Sequence, residues 1–488
     1  MKNFLTIAIP ALFLSAGIYQ TGFSQGYDIT VKIKNFPDTA AYLGYNFGDQ
    51  KFIKDTARVK DSNILEFKDP EESLTRGVYF IYSPNVYFDF IVNEQKFSLE
   101  TDTSDLVGHM KITGSPENRI FNEYQKYSIS RQAEVSRLRS EVDSLVKIKD
   151  TLALGEVKNK LTAVSREMLD HQKEIVDDHP GMFVAKLIAA MQRPEIPARP
   201  PDYMMTARNS NWQFNYYKKH YFDHFDIADS GLLRTPVFQS RIDEYIDNLT
   251  MQHPDSIEEA ADFLLGKAAA NKETFRYLLV KLTNKYETSH IMGMEKVFVY
   301  LAEKYYLTGK AYWADSTLVN KFALRVRALK PNLVGNSAPQ MHLVDTLMRP
   351  VSLSSVKSRF ILLYFYDHNC GHCRESTPQL YDLYNKKLKQ LGVTVWAADV
   401  MNDLNRGENA DESIRKWKEF IRTYGMKDWI NIADPYYHDN FRANYNIEAT
   451  PTIYILNSKY EIIAKRLGVD QLEDFIRKMI GIEDADKS

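Results

Sequence analysis

Hydrophobic and polar residues alternate along the hundred or so residues that follow a leading apolar run. The alternation is clear at residues 29–34, and turn residues separate it from later apolar runs at Val78–Tyr82 and Val86–Val92. A period of two places every second side chain on the same face of a strand. Runs spaced by about eight to twelve residues are typical of an antiparallel sandwich or barrel. The pattern predicts an all-β, sandwich-like domain over residues 26–115.

The hydrophobic period changes to about 3.6 after Ser115-Pro116-Glu117, which has the composition of a helix start. Two apolar series with three-four spacing follow: Val135, Leu138, Val142, Leu145 and then Leu154, Val157, Leu161, Val164, Met168. A phase shift near Gly155 predicts two helices or one bent helix. Each register is shorter than the roughly three to four heptads of a coiled coil, which favours an intrachain hairpin over a dimerisation arm. A helical domain is predicted over residues 116–330.

Strands and helices alternate in the last third of the chain. Phe360–Tyr366 is a continuous apolar and aromatic strand, and Val393–Val400 is a second buried strand. The other predicted elements are helices at 371–391, 411–424 and 472–480 and strands at 429–433, 452–456 and 462–466. This alternation predicts an α/β domain with helices covering a central sheet, over residues 335–484.

The amino terminus has the order of a secretory signal peptide. Lys2 precedes an apolar run from Phe4 to Ile18, and small and polar residues follow it. The run is shorter than the roughly 20 residues of a spanning helix, and Pro10 interrupts it. We therefore expect a signal peptide at residues 1–25 and a periplasmic or secreted protein, with an uncleaved membrane anchor as the alternative. No cysteine follows the run, so there is no lipobox.

Composition and charge exclude other classes of protein. Hydrophobic residues make up 44% and charged residues 26% of the 488 residues, which is ordinary for a globular chain. The 62 Lys and Arg against 64 Asp and Glu leave a net charge of -2. No basic excess points to nucleic acid as a partner.

The chain has two cysteines, and both lie in the tetrapeptide Cys370-Gly371-His372-Cys373. Neither is left over for a structural disulfide. In an exported protein such a pair meets an oxidising environment, so its redox state must be actively managed.

A Cys-x-x-Cys that opens a helix after a strand has a physical mechanism. The helix N-terminus favours a thiolate at Cys370, and His372 adds positive charge nearby. Cys373, one turn into the helix, is placed to resolve a mixed disulfide. A zinc site lacks a second cysteine pair to go with His368 and His372, and haem attachment needs a histidine where Arg374 stands. We therefore predict no metal.

The last third of the chain resembles the thioredoxin-fold domains of TlpA-like thiol-disulfide oxidoreductases. The resemblance rests on Val334–Pro339, on Phe360–Tyr366 leading into the cysteine pair, on Pro378, and on Thr450-Pro451-Thr452 before a strand. It implies that Pro378 kinks the active-site helix. It also implies a cis bond before Pro451, which brings Thr450 against the cysteines, where its backbone pairs with a substrate chain.

The same resemblance covers two other parts of the chain. The stretch from Val400 to Pro451 resembles the insertion that distinguishes TlpA-like domains from plain thioredoxin. The front part is similar, more weakly, to uncharacterised regions that precede TlpA-like domains in some secreted proteins.

Three positions depart from the familiar pattern. Tyr364 stands where thioredoxins carry a buried acid, Asn369 stands where a Trp usually precedes the first cysteine, and Ser376 stands where TlpA-like reductases often hold a Glu. The base that assists Cys373 is therefore unassigned. Its candidates are Glu375, Asp367 and Glu448. The direction of electron flow also stays open.

The sequence thus predicts an exported thiol-disulfide oxidoreductase in which Cys370 is the nucleophile and Cys373 the resolving thiol. The redox-active Cys370–Cys373 disulfide takes the place of a cofactor. Protein thiols and disulfides are the expected substrates, and a membrane or periplasmic thiol is the expected electron donor. One alternative is a client- or envelope-binding protein in which the redox domain is accessory. Another is a peroxiredoxin-type peroxidase, although Leu363 and Asp367 replace the Pro and Thr of a peroxidatic motif.

Overall fold

The computed structural model describes residues 26–60, 63–199 and 211–485. The predicted signal peptide at residues 1–25 lies outside the described residues. Contacts divide the chain into two compact units. The first comprises the residues up to Gln252 together with Ala260–Leu278, and the second comprises His253–Glu259 and the residues from Leu279 onward. The sequence-based domain boundaries near residues 115 and 330 stay predictions.

The first unit begins with a sandwich of two four-stranded sheets that share one hydrophobic core. One sheet has the strand order β4-β1-β7-β8 and the other has the order β3-β2-β5-β6. The strands are β1 Tyr27–Lys34, β2 Ala40–Phe47, β3 Gln50–Arg58, β4 Ile64–Asp69, β5 Gly77–Tyr82, β6 Tyr87–Val92, β7 Lys96–Asp102 and β8 Lys111–Thr113. Along β1 the odd-numbered side chains are buried, as the alternation predicts.

One pair of strands departs from the antiparallel prediction. β1 and β7 are parallel, with Ile29 opposite Phe97 and Val31 opposite Leu99. The chain crosses to the other sheet through β5 and β6 between these strands, so no hairpin links them and a parallel pairing is permitted.

A long helical hairpin follows the sandwich. Helix α1 (Pro116–Ile148) begins where the sequence predicts, with Ser115 Oγ accepting the Asn118 N–H at 3.1 Å. Helix α2 (Thr151–Asp178) packs back on it through the predicted apolar series. The break falls at Lys149–Asp150 and not near Gly155, because Lys149 adopts a left-handed conformation and Asp150 caps the second helix.

Eight more helices lie between the hairpin and the last third of the described chain. They are α3 Phe183–Met191, α4 Trp212–Lys219, α5 Ser230–Leu233, α6 Pro236–Asp247, α7 Pro254–Ala268, α8 Lys272–Glu287, α9 Glu295–Leu301 and α10 Ser316–Leu329. In the described ranges, none of the helices is both long enough and apolar enough to cross a membrane.

The second unit contains a seven-stranded mixed sheet with the strand order β10-β9-β13-β12-β11-β14-β15. The strands are β9 His342–Asp345, β10 Pro350–Ser352, β11 Phe360–Tyr366, β12 Val393–Asp399, β13 Ile430–Ala433, β14 Thr452–Asn457 and β15 Ile462–Lys465. The helices of this part are α11 Gly371–Lys386, α12 Ala410–Thr423, α13 Phe441–Asn444 and α14 Leu472–Ala485.

β11 is an interior strand of this sheet and carries the active-site segment at its carboxyl end. It pairs in parallel with β12 and antiparallel with β14, and all seven of its residues are buried. Leu362 and Tyr364 belong to the core on one face, while Leu363 and Phe365 belong to the core on the other. The predicted fold class is confirmed: a sandwich-like β domain, a helical region and a C-terminal α/β thioredoxin-like sheet.

Candidate active site

The cysteine pair lies at the carboxyl end of β11, where the chain turns into α11. Cys370 is the residue that caps this helix, with an extended backbone, and its N–H bonds to the Asp367 carbonyl at 3.0 Å. The helix then begins at Gly371. The backbone N–H groups of His372 and Cys373 in the first turn bond to the Cys370 sulfur, and they stabilise negative charge there.

A second loop reaches the cysteines from the start of β14. The Thr450-Pro451 peptide bond is cis, and the Cys370 thiol donates to the Thr450 carbonyl oxygen at 3.3 Å. The two elements that carry Cys370 and Thr450 belong to adjacent strands of the sheet. Their juxtaposition therefore follows directly from the pairing of β11 with β14.

The two thiols have opposite environments. Cys370 is half-buried; burial alone would raise its pKa, but hydrogen bonds from Thr450, Cys373 and the His372 N–H outweigh it, and the pKa lies below the usual thiol value. Cys373 is fully buried, and the loss of solvation raises its pKa well above the usual value. The pair thus combines one accessible, acidic thiol with one shielded, weakly acidic thiol.

The other residues of the motif have simpler surroundings. The His372 side chain is 86% exposed and lies 3.9 Å from Glu375, itself 79% exposed. Solvent screens such an ion pair strongly. Pro378 lies inside α11 and is exposed. It cannot donate the backbone hydrogen bond that a helical residue normally gives to the residue four positions earlier.

The three candidate acid–base residues are not equivalent. Asp367 is buried, and its carboxylate accepts the Asn369 N–H at 2.7 Å and the Asn402 N–H at 2.9 Å. Glu448 is paired with Arg325 at 2.6 Å, a contact that holds its pKa below the usual value. Glu375 faces solvent. Asp367 is therefore the candidate whose position is fixed beside the cysteine pair, and its backbone N–H also reaches the Cys373 sulfur.

Tyr364 occupies the buried position under the active-site helix. Its hydroxyl group lies 2.8 Å from Thr377 Oγ1 and 3.2 Å from Ser376 Oγ, both in α11. Its ring stacks on Tyr366 at a centroid distance of 5.4 Å. Burial raises its pKa, so this hydroxyl group stays neutral over the physiological range. A neutral hydrogen-bonding group thus fills the place where thioredoxins carry an acid.

A buried charged cluster, which the sequence did not reveal, lies beside the cysteine pair. It consists of His368, Asp399 and Asp403. The two imidazole nitrogens of His368 each face a carboxylate, with Nδ1 2.9 Å from Asp399 and Nε2 3.0 Å from Asp403. Burial alone would lower the His368 pKa, but the two carboxylates raise it to about 9.

One signal could have found this cluster. His368 follows β11 and Asp399 ends β12, and the carboxyl ends of adjacent parallel strands meet at one edge of a sheet. Both ring nitrogens of His368 are already taken up by carboxylates. Among the residues that the structure describes, no group of His, Cys, Asp and Glu is arranged to hold a metal ion.

The fold and the site together define a thioredoxin-like domain. Residues 334–465 match the profile of the AhpC/TSA family. The C-terminal part of the chain is therefore an AhpC/TSA thioredoxin-like domain, and its predicted resemblance to thioredoxin-fold oxidoreductases is confirmed. Residues 27–121 and 158–321 match two domains of unknown function, DUF4369 and DUF5106, which fits an uncharacterised front part.

Solved bacterial structures are similar to the chain. A domain of a "possible thiol-disulfide isomerase" from Cytophaga hutchinsonii is 36% identical, covers 32% of this chain and 97% of its own, and has a TM-score of 0.28. The thioredoxin domain of a thiol-disulfide oxidoreductase from Bacteroides vulgatus is 25% identical, with coverages of 30% and 96% and a TM-score of 0.26.

A longer similarity involves a thioredoxin-like protein from Bacteroides caccae. It is 19% identical, covers 59% of this chain and 97% of its own, and has a TM-score of 0.42. No curated protein matches the chain.

Proposed function

We propose that the protein is an exported thiol-disulfide oxidoreductase that exchanges disulfides with envelope proteins through Cys370 and Cys373. The observation that carries this proposal is the opposite environment of the two thiols. A thiol with a lowered pKa at the surface is both a good nucleophile and a good leaving group. A buried thiol with a raised pKa stays protonated until the first sulfur has reacted. These are the properties that a nucleophile and a resolving thiol require.

The reaction in the reducing direction has two steps. The Cys370 thiolate attacks a client disulfide, forms a mixed disulfide and releases one client thiolate. Cys373 then loses its proton, which passes to the released thiolate or to water, and attacks the Cys370 sulfur. This step breaks the mixed disulfide, releases the second client thiolate and forms the Cys370–Cys373 disulfide. The client gains two electrons and the enzyme loses two, which an envelope thiol donor replaces.

The loop at Thr450 supports this role. Its carbonyl oxygen accepts a bond from the Cys370 thiol, so a client chain whose cysteine approaches Cys370 meets this backbone first. Extended backbone binds extended backbone through N–H and carbonyl groups, which needs no particular client side chain. The loop therefore suits the recognition of many protein thiols.

Insulin reduction by the purified full-length protein, with dithiothreitol as donor, tests the proposal. We expect Cys370→Ser to abolish the activity and Cys373→Ser to accumulate mixed disulfides with clients. His342→Gln, an exposed substitution on β9, is the control and leaves the rate unchanged. Full insulin reduction by Cys370→Ser would show that the assignment is wrong. Fractionation of cells that express the chain with and without residues 1–25 tests export separately.

The AhpC/TSA match favours one second candidate, a thiol peroxidase. In this reaction the Cys370 thiolate attacks a peroxide, becomes a sulfenic acid and releases water or an alcohol. The Cys373 thiol then displaces the sulfenic hydroxyl group as water and forms the Cys370–Cys373 disulfide. The Leu363 and Asp367 that replace the peroxidatic Pro and Thr weigh against it. Rapid peroxide consumption with a thiol donor, faster than insulin reduction, would favour this candidate.

A further inference from the structure

The cluster of His368, Asp399 and Asp403 has no part in the reaction steps above, although His368 lies two residues before Cys370. Its side chains are almost completely enclosed, with exposed fractions of 2% for His368, 0% for Asp399 and 8% for Asp403. Charged groups are rarely enclosed to this extent unless they are paired. The pairing here is complete on both sides of one imidazole ring.

The hydrogen bonds fix the number of protons in the cluster. A carboxylate only accepts, so each of the two N···O contacts requires one proton between its atoms. Two protons on one imidazole and two carboxylates give a net charge of -1. This count holds whether the ring is an imidazolium or shares a proton with one carboxyl group. Without the ring, the two carboxylates would carry two unpaired charges.

The cluster also connects the chain just before Cys370 with the predicted insertion, the stretch from Val400 to Pro451. Asp403 Oδ1 accepts the Ser413 hydroxyl of α12 at 2.8 Å, and Asp399 accepts the Met401 N–H at 2.8 Å. His368 therefore connects the chain just before the cysteine pair with β12 and α12. Other charged groups adjoin the cluster from two sides: Asp367, held by backbone N–H groups, and Arg442 of α13, which donates to the Val400 carbonyl at 2.9 and 2.6 Å.

His368 and Cys370 are separated by only one residue along the chain. Two peptide units span at most about 7 Å between Cα atoms. At such separations in a protein interior, an unpaired charge changes the energy of a thiolate, and mobile ions screen the effect far less than at the surface.

We propose that His368 is a positioning residue of the redox pair, which neutralises Asp399 and Asp403 and so keeps two buried carboxylates from opposing the Cys370 thiolate. This inference rests on the proposed function, because it concerns the reactivity of that thiolate. It assigns the insertion a role as well, since Asp403 and Ser413 hold the ring from the far side.

Two substitutions move the charge in opposite directions. His368→Gln keeps a hydrogen-bond donor but removes the positive charge, so the Cys370 thiolate becomes less stable. Asp403→Asn removes one negative charge, so the thiolate becomes more stable. We expect the midpoint of the pH profile of iodoacetamide alkylation to rise by about one unit in the first variant and to fall in the second. One unit is a tenfold change in thiolate fraction below the midpoint.

The reduction potential, measured by equilibration with glutathione, gives the second readout. A less stable thiolate favours the disulfide, so His368→Gln becomes more reducing and Asp403→Asn more oxidising. A tenfold change in the equilibrium constant corresponds to about 30 mV. The double variant has the same net charge in the cluster as the unmodified protein, so we expect its potential to return toward that of the unmodified protein. If one single variant does not fold, the comparison of the double variant with the other single variant still tests the proposal.

The outcomes separate the two hypotheses. His342→Gln is the matched control and changes neither readout. If both single variants move the midpoint in the same direction, or leave it in place, the positioning role is wrong and the cluster is only structural. If the unmodified protein shows no reversible Cys370–Cys373 couple with glutathione, the proposed function fails instead.

Discussion

The strands β1 and β11 differ in composition and in burial: β1 alternates apolar with polar residues, and β11 is entirely apolar and aromatic. In β1, Ile29 and Val31 are completely buried, and the alternating residues Thr30 and Lys32 are only partly buried, with Lys32 3.3 Å from Glu100. In β11 all seven side chains are buried, because each face of its sheet is covered by a core. The sandwich therefore has a polar face along β1, and the α/β sheet has no polar face along β11.

This difference explains where the chemistry lies. A strand with two buried faces can present polar side chains only beyond its ends. Cys370 and His368 follow the carboxyl end of β11, and Asp399 ends the neighbouring β12. On β1 polar side chains are spread along the exposed face, where solvent satisfies them. Polar groups are thus concentrated at the strand ends in one region and dispersed along the strand in the other.

Substitution of neighbouring residues in β1 and β11 tests this difference in burial most directly. In β11, Leu362→Ala and Leu363→Ala each leave a cavity, one in each core, and we expect each to lower the free energy of unfolding by about 3–5 kcal/mol. In β1 the buried Ile29→Ala has a cost of this size, while the neighbouring Thr30→Ala changes stability by about 0.5 kcal/mol or less.

Hydrogen exchange of peptides from the two strands measures these effects separately, which matters because a chain with two compact units need not unfold in one step. A small effect of either β11 substitution would show that one face of this strand is not a true core. A large effect of Thr30→Ala would show that β1 is also buried on both sides.

A buried and an exposed ion pair give a second comparison between the two regions. Lys465 in β15 is 5% exposed and lies 2.6 Å from Glu295, and its ammonium group also donates to Asn332. We expect Lys465→Met to lower the free energy of unfolding by about 3 kcal/mol, because Glu295 and Asn332 lose their buried partner. Lys32→Met on the sandwich surface is the matched control, with an expected loss below about 1 kcal/mol. Thermal melts of both variants test this, and equal losses would contradict it.

The periodicities explain why the fold could be predicted. Alternation along β1, the three-four spacing in α1 and the continuous apolar run of β11 are local patterns that depend only on which faces are buried. The parallel pairing of β1 with β7 and the break at Lys149 were not predicted. The first depends on the path of the chain between the sheets, and the second on a left-handed conformation that non-glycine residues seldom adopt.

In the candidate site, too, some residues could be predicted from the sequence and others could not. Cys370, Cys373 and Thr450-Pro451 could be proposed from short motifs, because each motif performs its chemistry with adjacent residues. The cluster at His368 could not, because its three members come from two loops that meet only when β11 and β12 pair. The exposed position of the His372 ring was also not visible in the sequence.

Buried tyrosines extend the comparison to smaller effects. Tyr364→Phe removes a hydroxyl group that contacts Ser376 and Thr377, and Tyr79→Phe removes one that donates to the Thr75 carbonyl in the sandwich at 2.9 Å. We expect each to lower the free energy of unfolding by about 1–2 kcal/mol. Only Tyr364→Phe should also change the alkylation rate of Cys370, because its partners lie in α11. If Tyr79→Phe also changed the alkylation rate of Cys370, the effect of Tyr364→Phe could not be attributed to its contacts with α11.

The smallest predicted effects concern the titration of the two thiols, which only the α/β domain can show because the sandwich has no cysteine. The Cys370 pKa is lowered, so its alkylation midpoint lies below that of an ordinary thiol and the rate falls as the pH drops through that midpoint. The Cys373 pKa is raised. In the unfolded chain this thiol ionises near pH 8.5, whereas in the folded dithiol protein it stays protonated. The stability of the reduced protein therefore decreases as the pH rises above about 8.5. Cys373→Ala should flatten this decrease, and an unchanged slope in denaturation measured between pH 8 and pH 10 would show that another group causes it.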